Sequence, residues 1–145
     1  MTTLDHVKWQ IKNLTANRPA VNPTLLFQYC PAFNHVHQFI VENEIISGYC
    51  IGSLTRAGKQ VKAGKWLAVC TNRQFILLHK GLPGVLTHFE IPLEKITSVT
   101  PTYSWLNNKI KIPEPGFEWE LYQVNKTDLK FFEEALNICL LNSRK

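Results

Sequence analysis

Long apolar runs are missing from this 145-residue chain. No stretch approaches the roughly 20 residues that a membrane-spanning helix needs. The N-terminus, MTTLDHVKWQIKNL, lacks the apolar core of a secretory signal. Cysteine is sparse, and there is no C-x-x-C pair. Cys30, Cys50, Cys70 and Cys139 are far apart, and three of them sit in apolar runs. They are expected to be reduced, buried small hydrophobes of a cytoplasmic protein. Cys30, His35 and His37 have no second ligand pair at zinc spacing, so no metal is expected. Gly-x-Ser-x-Gly, His-Glu-x-x-His and P-loop motifs are all absent, and Ser53, Ser98 and Ser104 have no recognisable base partner. The chain is therefore expected to need no cofactor and to catalyse nothing. The remaining enzymatic reading is a small enzyme whose site is assembled from distant residues and leaves no motif.

Acids are also scarce, 11 against 16 lysines and arginines. The imbalance is local. Residues 44–105 hold seven bases against Glu44, Glu90 and Glu94, whereas residues 106–145 hold six of each sign. Arg56, Lys59, Lys62 and Lys65 fall within ten residues that contain no acid. This is the one charge asymmetry that suggests a partner.

What is present reads as one domain with a core large enough to need no disulfide or metal. Leu4, Val7, Ile11 and Leu14 recur at helical spacing behind Thr2 or Thr3 as cap. Residues 16–22, with Arg18-Pro19 and Asn22-Pro23, make a break, after which Asn22 caps a helix opened by Pro23. Pro31 interrupts this helix, and Phe33, Val36, His37 and Ile40 resume helical spacing. Residues 1–43 are thus expected to form a helical N-terminal extension.

From Glu44 the pattern changes to strands. Residues 45–54 are β-branched and aromatic, with Gly48 and Gly52 marking a bulge or a bend. Residues 55–64 read as a polar loop or frayed hairpin. Trp66–Cys70 and Gln74–His79 flank the turn Thr71-Asn72-Arg73. The break Lys80-Gly81-Leu82-Pro83-Gly84 leads to Val85–Ile91, where Val85, Thr87, Phe89 and Ile91 share one face. Ile96–Thr100 makes a less regular strand. Asn107-Asn108 and Pro113-Glu114-Pro115-Gly116 are turns, and Phe117–Gln123 alternates as the last strand. A helix follows, capped by Thr127, with Leu129, Phe132, Leu136, Cys139 and Leu140 on one stripe and Arg144 and Lys145 at its end. No crossover helix separates the strands, which disfavours a parallel sheet. The Tyr103–Leu106 stretch leaves Trp105 either at a hairpin tip or, the preferred expectation, buried against the barrel.

Three of these pieces form a signature: a strand ending in Thr71-Asn72-Arg73, a strand leading to Lys80-Gly81, and Ile91-Pro92-Leu93-x-x-Ile96-x-x-Val99. Together they resemble the bacterial pleckstrin-homology-like (PH-like) domains over about residues 44–142. The resemblance implies an α+β, mainly β fold. Residues 44–145 would form a seven-stranded antiparallel PH-like barrel or orthogonal sandwich capped by the C-terminal helix. It implies no reaction. In lipid-binding PH domains the loop joining the first two strands supplies phosphate-binding bases, and Arg56, Lys59, Lys62 and Lys65 occupy the matching place. The chain departs from that pattern at Lys65, which is followed by Trp66-Leu67 rather than by a basic-x-basic pair.

The function expected is a non-enzymatic binding or scaffold module whose partner is a protein or a second copy. The alternative is recruitment to anionic membrane lipids through the basic 56–65 loop, with the protein cytoplasmic or peripheral at the membrane. Nucleic acid is disfavoured, because no nucleic-acid motif accompanies the bases and Trp66, Phe75 and Phe89 fit core positions.

Overall fold

The computed structural model describes residues 1–16, 18, 21–81 and 84–144. Pro19, the Leu82-Pro83 part of one turn and the terminal Lys145 lie outside the described residues. Three short helical segments come first. Helix α1 spans Leu4–Thr15, and the Thr3 side chain accepts the His6 amide at 3.2 Å. Helix α2 spans Pro23–Tyr29, with Asn22 accepting the Thr24 and Leu25 amides. The segment from Pro31 to Gln38 is a 3-10 helix rather than an α-helix.

The strands are β1 Ile46–Arg56, β2 Lys59–Gln60, β3 Trp66–Thr71, β4 Gln74–Lys80, β5 Leu86–Pro92, β6 Thr100–Thr102, β7 Lys109–Glu114 and β8 Phe117–Tyr122. Helix α3, Lys126–Ser143, closes the chain. The sheet is antiparallel, in the order β5-β4-β3-β1-β8-β7-β6, with the two-residue β2 beside β1. It is an open path whose end strands are β5 and β6, so the barrel does not close. The strand expected at 96–100 is displaced. Leu93–Lys95 forms a 3-10 turn, and pairing resumes only at Thr100↔Lys111.

β1 is the corner. Residues 46–52 pair with β3, and residues 53–56 pair with β8. Both glycines stand where a neighbour comes close. A Cβ on Gly52 would lie 2.5 Å from the Tyr122 carbonyl oxygen, and one on Gly48 would lie 2.8 Å from the Ala135 Cβ of α3. The pairing slips between Ile46 and Gly48, the irregularity expected of a glycine in a strand.

Two cores result, one on each side of β1, β3 and β4. Inside, Leu129, Phe132, Leu136, Cys139 and Leu140 of α3 pack with Trp66, Phe75, Leu77 and Trp119. Burying each large side chain is worth roughly 1.5–3 kcal/mol. Outside, Val7, Ile11, Phe27, Phe33, Val36 and Ile40 cover Ile46, Tyr49, Leu67, Val69, Ile76 and Leu78. Every residue of β3 is therefore buried, which explains its unbroken apolar sequence. The cap of α3 is Asn125, whose side chain accepts the Asp128 amide at 3.1 Å, and not Thr127. All four cysteines are free and buried.

Candidate binding groove

The Thr-Asn-Arg turn is a bracket, not a binding site. The Thr71 hydroxyl accepts the Arg73 and Gln74 amides and donates to the buried Glu44 carboxylate at 2.6 Å. Asn72 accepts the Ile45 amide at 2.9 Å. Glu44 also accepts from Gln74 Nε2 and from the Val41 amide. The turn thus ties the helical segments to the sheet.

The opposite end of β3 and β4 opens into a groove of about 620 Å³. Its walls are the α2 end at Tyr29–Ala32, the loop at Lys62–Lys65, and the β4 end at His79–Gly81 with Val85. Two contacts fix the loop. Trp66 Nε1 donates to the Lys62 carbonyl at 3.0 Å. His79 Nδ1 lies 2.9 Å from the Lys65 carbonyl. A carbonyl only accepts, so this bond requires the proton on Nδ1. His79 stacks on Trp66 with ring centroids 5.1 Å apart. Gly64, at φ +113°, passes so close to the imidazole that a Cβ there would lie 3.1 Å from His79 Cε1.

Lys65 Nζ sits 3.8 Å above the Tyr29 ring and donates to the Tyr29 carbonyl at 3.3 Å. Lys80 Nζ donates to the Gly84 carbonyl at 2.8 Å. Among the described residues lining the groove are three lysines and no acid. Burial pushes the Cys30 thiol up to about 11, against the opposing pull of the Ala32 backbone and the Lys65 charge. Cys30 is thus a protonated wall of the groove rather than a nucleophile.

The four bases singled out in the sequence separate into two pairs. Lys62 and Lys65 rim the groove. Arg56 and Lys59 stand at the β1–β2 hairpin tip, where Ala57 and Gly58 both have positive φ. The Arg56 guanidinium lies 4.1 Å from the Phe117 centroid and 5.1 Å from that of Trp119. Lys59 is directly opposite Arg56 in register, on the same face. Sequence reasoning missed Tyr29, His79 and Lys80. Tyr29 is 36 residues from Lys65, and no local pattern spans that distance. The His79-Lys80-Gly81 strand end was the one available signal.

Trp105 and Leu106 are exposed, at 91% and 76%, against the expectation of burial. Their loop between β6 and β7 is held from beneath. Ser104 Oγ donates to the Asn107 carbonyl and accepts the Asn107 amide, and Asn108 Oδ1 accepts the Ser104 amide. Asn107 Oδ1 accepts the Gln123 amide. Tyr103 donates to Glu133 at 2.8 Å, and burial together with that carboxylate pushes its hydroxyl up to about 12. The register puts this loop at the end of β7 and β8 opposite the Arg56 hairpin.

No helix among the described residues is long and apolar enough to cross a membrane. No three His, Cys, Asp or Glu side chains among them gather as a metal site. No curated protein sequence matches the chain. Two crystal structures are similar in fold. One is a DUF1696 family protein with a pleckstrin-homology domain from Shewanella loihica PV-4, at 17% identity and TM-score 0.50, covering 83% of this chain and 98% of that one. The other is a pleckstrin homology domain from Shewanella amazonensis SB2B, at 17% identity and TM-score 0.50, covering 74% and 93%. The family described as bacterial PH domain matches residues 40–138. Sheet order, closing helix and family match together make this chain a member of the bacterial PH-domain family.

Proposed function

We propose that the protein is a non-catalytic, cytoplasmic binding module that holds a protein partner in the Tyr29–Lys65–Lys80 groove. The observation that carries this reading is the groove's composition: an apolar floor with three lysines at its rim and no acid among its described lining residues. A segment combining apolar and acidic side chains complements such a surface. Residues 44–145 act as the binding unit, and residues 1–43 as a helical annex that supplies one wall through Tyr29–Ala32. The test is affinity capture from the native cells with the wild type and with Lys62→Ala/Lys65→Ala/Lys80→Ala. Partner proteins should be lost from the variant. A captured set unchanged by the substitutions would remove the groove from the account.

A second reading, recruitment to anionic membranes, is favoured by Arg56 and Lys59. Like charges directly opposite on neighbouring strands repel, and an anion between them relieves that repulsion. Each base near an anionic surface contributes roughly 1 kcal/mol. Sedimentation with phosphatidylserine vesicles at low salt tests it. Binding that is lost in Arg56→Ala/Lys59→Ala and in high salt supports membrane recruitment. No binding at low salt excludes it.

A further inference from the structure

We propose that Cys139 of α3 and Cys70 of β3 are a peroxide-responsive thiol pair that closes to a disulfide between the helix and the sheet. Neither sulfur belongs to the groove or to the Arg56 hairpin.

The irregularity in β1 builds the site. Ile46 pairs with Thr71 and Gly48 with Cys70, so Ser47 is the extra residue of a bulge. Gly48 puts no side chain between strand and helix. The point that its Cβ would occupy lies 3.3 Å from Cys70 Sγ and 2.8 Å from Ala135 Cβ of α3. The Cys70 sulfur therefore reaches the helix through the gap that Gly48 leaves. Cys139 follows Ala135 by one helical turn, on the side of α3 that packs into the inner core. The Cys70 thiol has two acceptors there, the Gly48 carbonyl at 3.7 Å and Cys139 Sγ. Ser47 is the second polar group beside Cys139.

The four cysteines divide by chemistry. Burial pushes the Cys30 and Cys50 thiols up, so both stay protonated. At Cys139 the contact with the Cys70 thiol, aided by the Ser47 hydroxyl, outweighs burial and brings the group down to about 6. The same contact, together with burial, holds Cys70 well up. One sulfur of the pair is thus a thiolate near neutral pH, and the other keeps its proton. The thiolate is the form that attacks a peroxide. Exposure agrees with these roles, because Cys139 is 5% exposed and Cys70 is fully buried. Cys139 is the attacking sulfur and Cys70 the resolving one.

In the first step the Cys139 thiolate attacks one oxygen of hydrogen peroxide. An S–O bond forms, the O–O bond breaks and hydroxide leaves. Cys139 is then a sulfenic acid, and the peroxide has been reduced. In the second step Cys70 Sγ attacks Cys139 Sγ. The S–S bond forms, the S–O bond breaks, and water leaves with the Cys70 proton. The closed loop of chain takes in β4 to β8, so the disulfide ties the closing helix to the sheet that it covers. A cross-link of this span restricts the unfolded chain and raises stability.

Peroxide treatment of the folded chain, followed by denaturing alkylation and peptide mapping by mass spectrometry, tests this. The reduced wild type should carry four alkylated cysteines. After hydrogen peroxide it should carry two, with Cys70 joined to Cys139, and dithiothreitol should restore all four. The urea midpoint should rise on oxidation and fall back with dithiothreitol. Cys70→Ser removes the resolving thiol, so dimedone should trap a sulfenic acid at Cys139 in that variant. Cys139→Ser should keep its three thiols through the same treatment. Near-UV circular dichroism checks that both variants fold, and the wild-type map decides without either of them. A wild type that keeps four thiols overturns the proposal, as does one that oxidises at Cys30 or Cys50 instead. A disulfide that leaves the urea midpoint no higher than that of the reduced chain overturns it as well, because the two sulfurs were then not poised to meet.

Discussion

Gly52 has no room for a β-carbon. At this corner an added Cβ would lie 2.5 Å from the Tyr122 carbonyl oxygen and 2.9 Å from Val124 Cγ2. Gly52→Ala should cost roughly 1–3 kcal/mol, the range for overpacked interiors. Gly58 differs, because nothing lies within 4 Å of its added Cβ. Gly58→Ala should cost only the backbone strain of its positive φ, about 1 kcal/mol. Urea unfolding of the two variants separates these cases. Glu44 is the other decisive residue. Its carboxylate is 2% exposed and accepts from Thr71, Gln74 and the Val41 amide. Glu44→Ala leaves the Val41 amide and one Gln74 N–H without this acceptor, and the Thr71 hydroxyl with only the Gln74 carbonyl at 3.3 Å. It should lower stability by about 3 kcal/mol, read from the same urea midpoint. Gly52 was legible in the sequence as a bulge or bend inside a β-rich run, but the crowding against Tyr122, 70 residues away, was not. The Glu44 bracket was not, because it joins positions 27 and 30 residues apart.

At the scale of elements, the cap of α3 tests how local signals compete. Thr127 and Asn125 both precede the apolar stripe, and both residue types cap helices well. The chain starts its helix earlier, at Lys126, so Asn125 holds the free amide. Asn125→Ala should lower the unfolding free energy by about 1 kcal/mol, and Thr127→Ala should stay within about 0.5 kcal/mol of wild type. Thermal denaturation of the two variants decides between the caps. The strands divide by the same logic. Trp66–Cys70 of β3 and Phe75–Leu78 of β4 are continuous apolar runs, legible as strands, and their lack of alternation follows from the cover on both faces. The strand expected at Ile96–Thr100 starts only at Thr100, and the Ile96 and Thr97 carbonyls accept from Arg144 of the α3 end instead of from a neighbouring strand. Trp105 was expected inside, as bulky aromatics usually are. Its exposure comes from hydrogen bonds of Ser104, Asn107 and Asn108, a turn chemistry that the residue count alone did not order.

The molecule is an open sheet whose strands β1, β3 and β4 are covered on both faces. Residues 1–43 supply Val7, Ile11, Phe27, Phe33, Val36 and Ile40 to the outer core. Deleting residues 1–43 bares Leu67, Val69, Ile76 and Leu78 on one sheet face. A patch of that kind aggregates or exposes dye-binding apolar surface. The truncated chain should therefore bind anilinonaphthalene sulfonate strongly or precipitate, whereas the intact chain should do neither. The antiparallel strands and the closing helix followed from periodicity and turn residues, and their arrangement in the sheet followed only from the family resemblance. The groove did not, because it exists only where α2, the 62–65 loop and the end of β4 meet.

The central claim is that this groove, and not the Arg56 hairpin, meets a protein. Ala63 lines the groove and is exposed, so a photoreactive benzoylphenylalanine there samples whatever docks. The same probe at exposed Lys95, which does not line the groove, serves as control. Irradiation in the native cells should cross-link protein to position 63 and little to position 95. Equal protein cross-linking at both positions, or cross-linking at position 63 to lipid alone, would contradict the account.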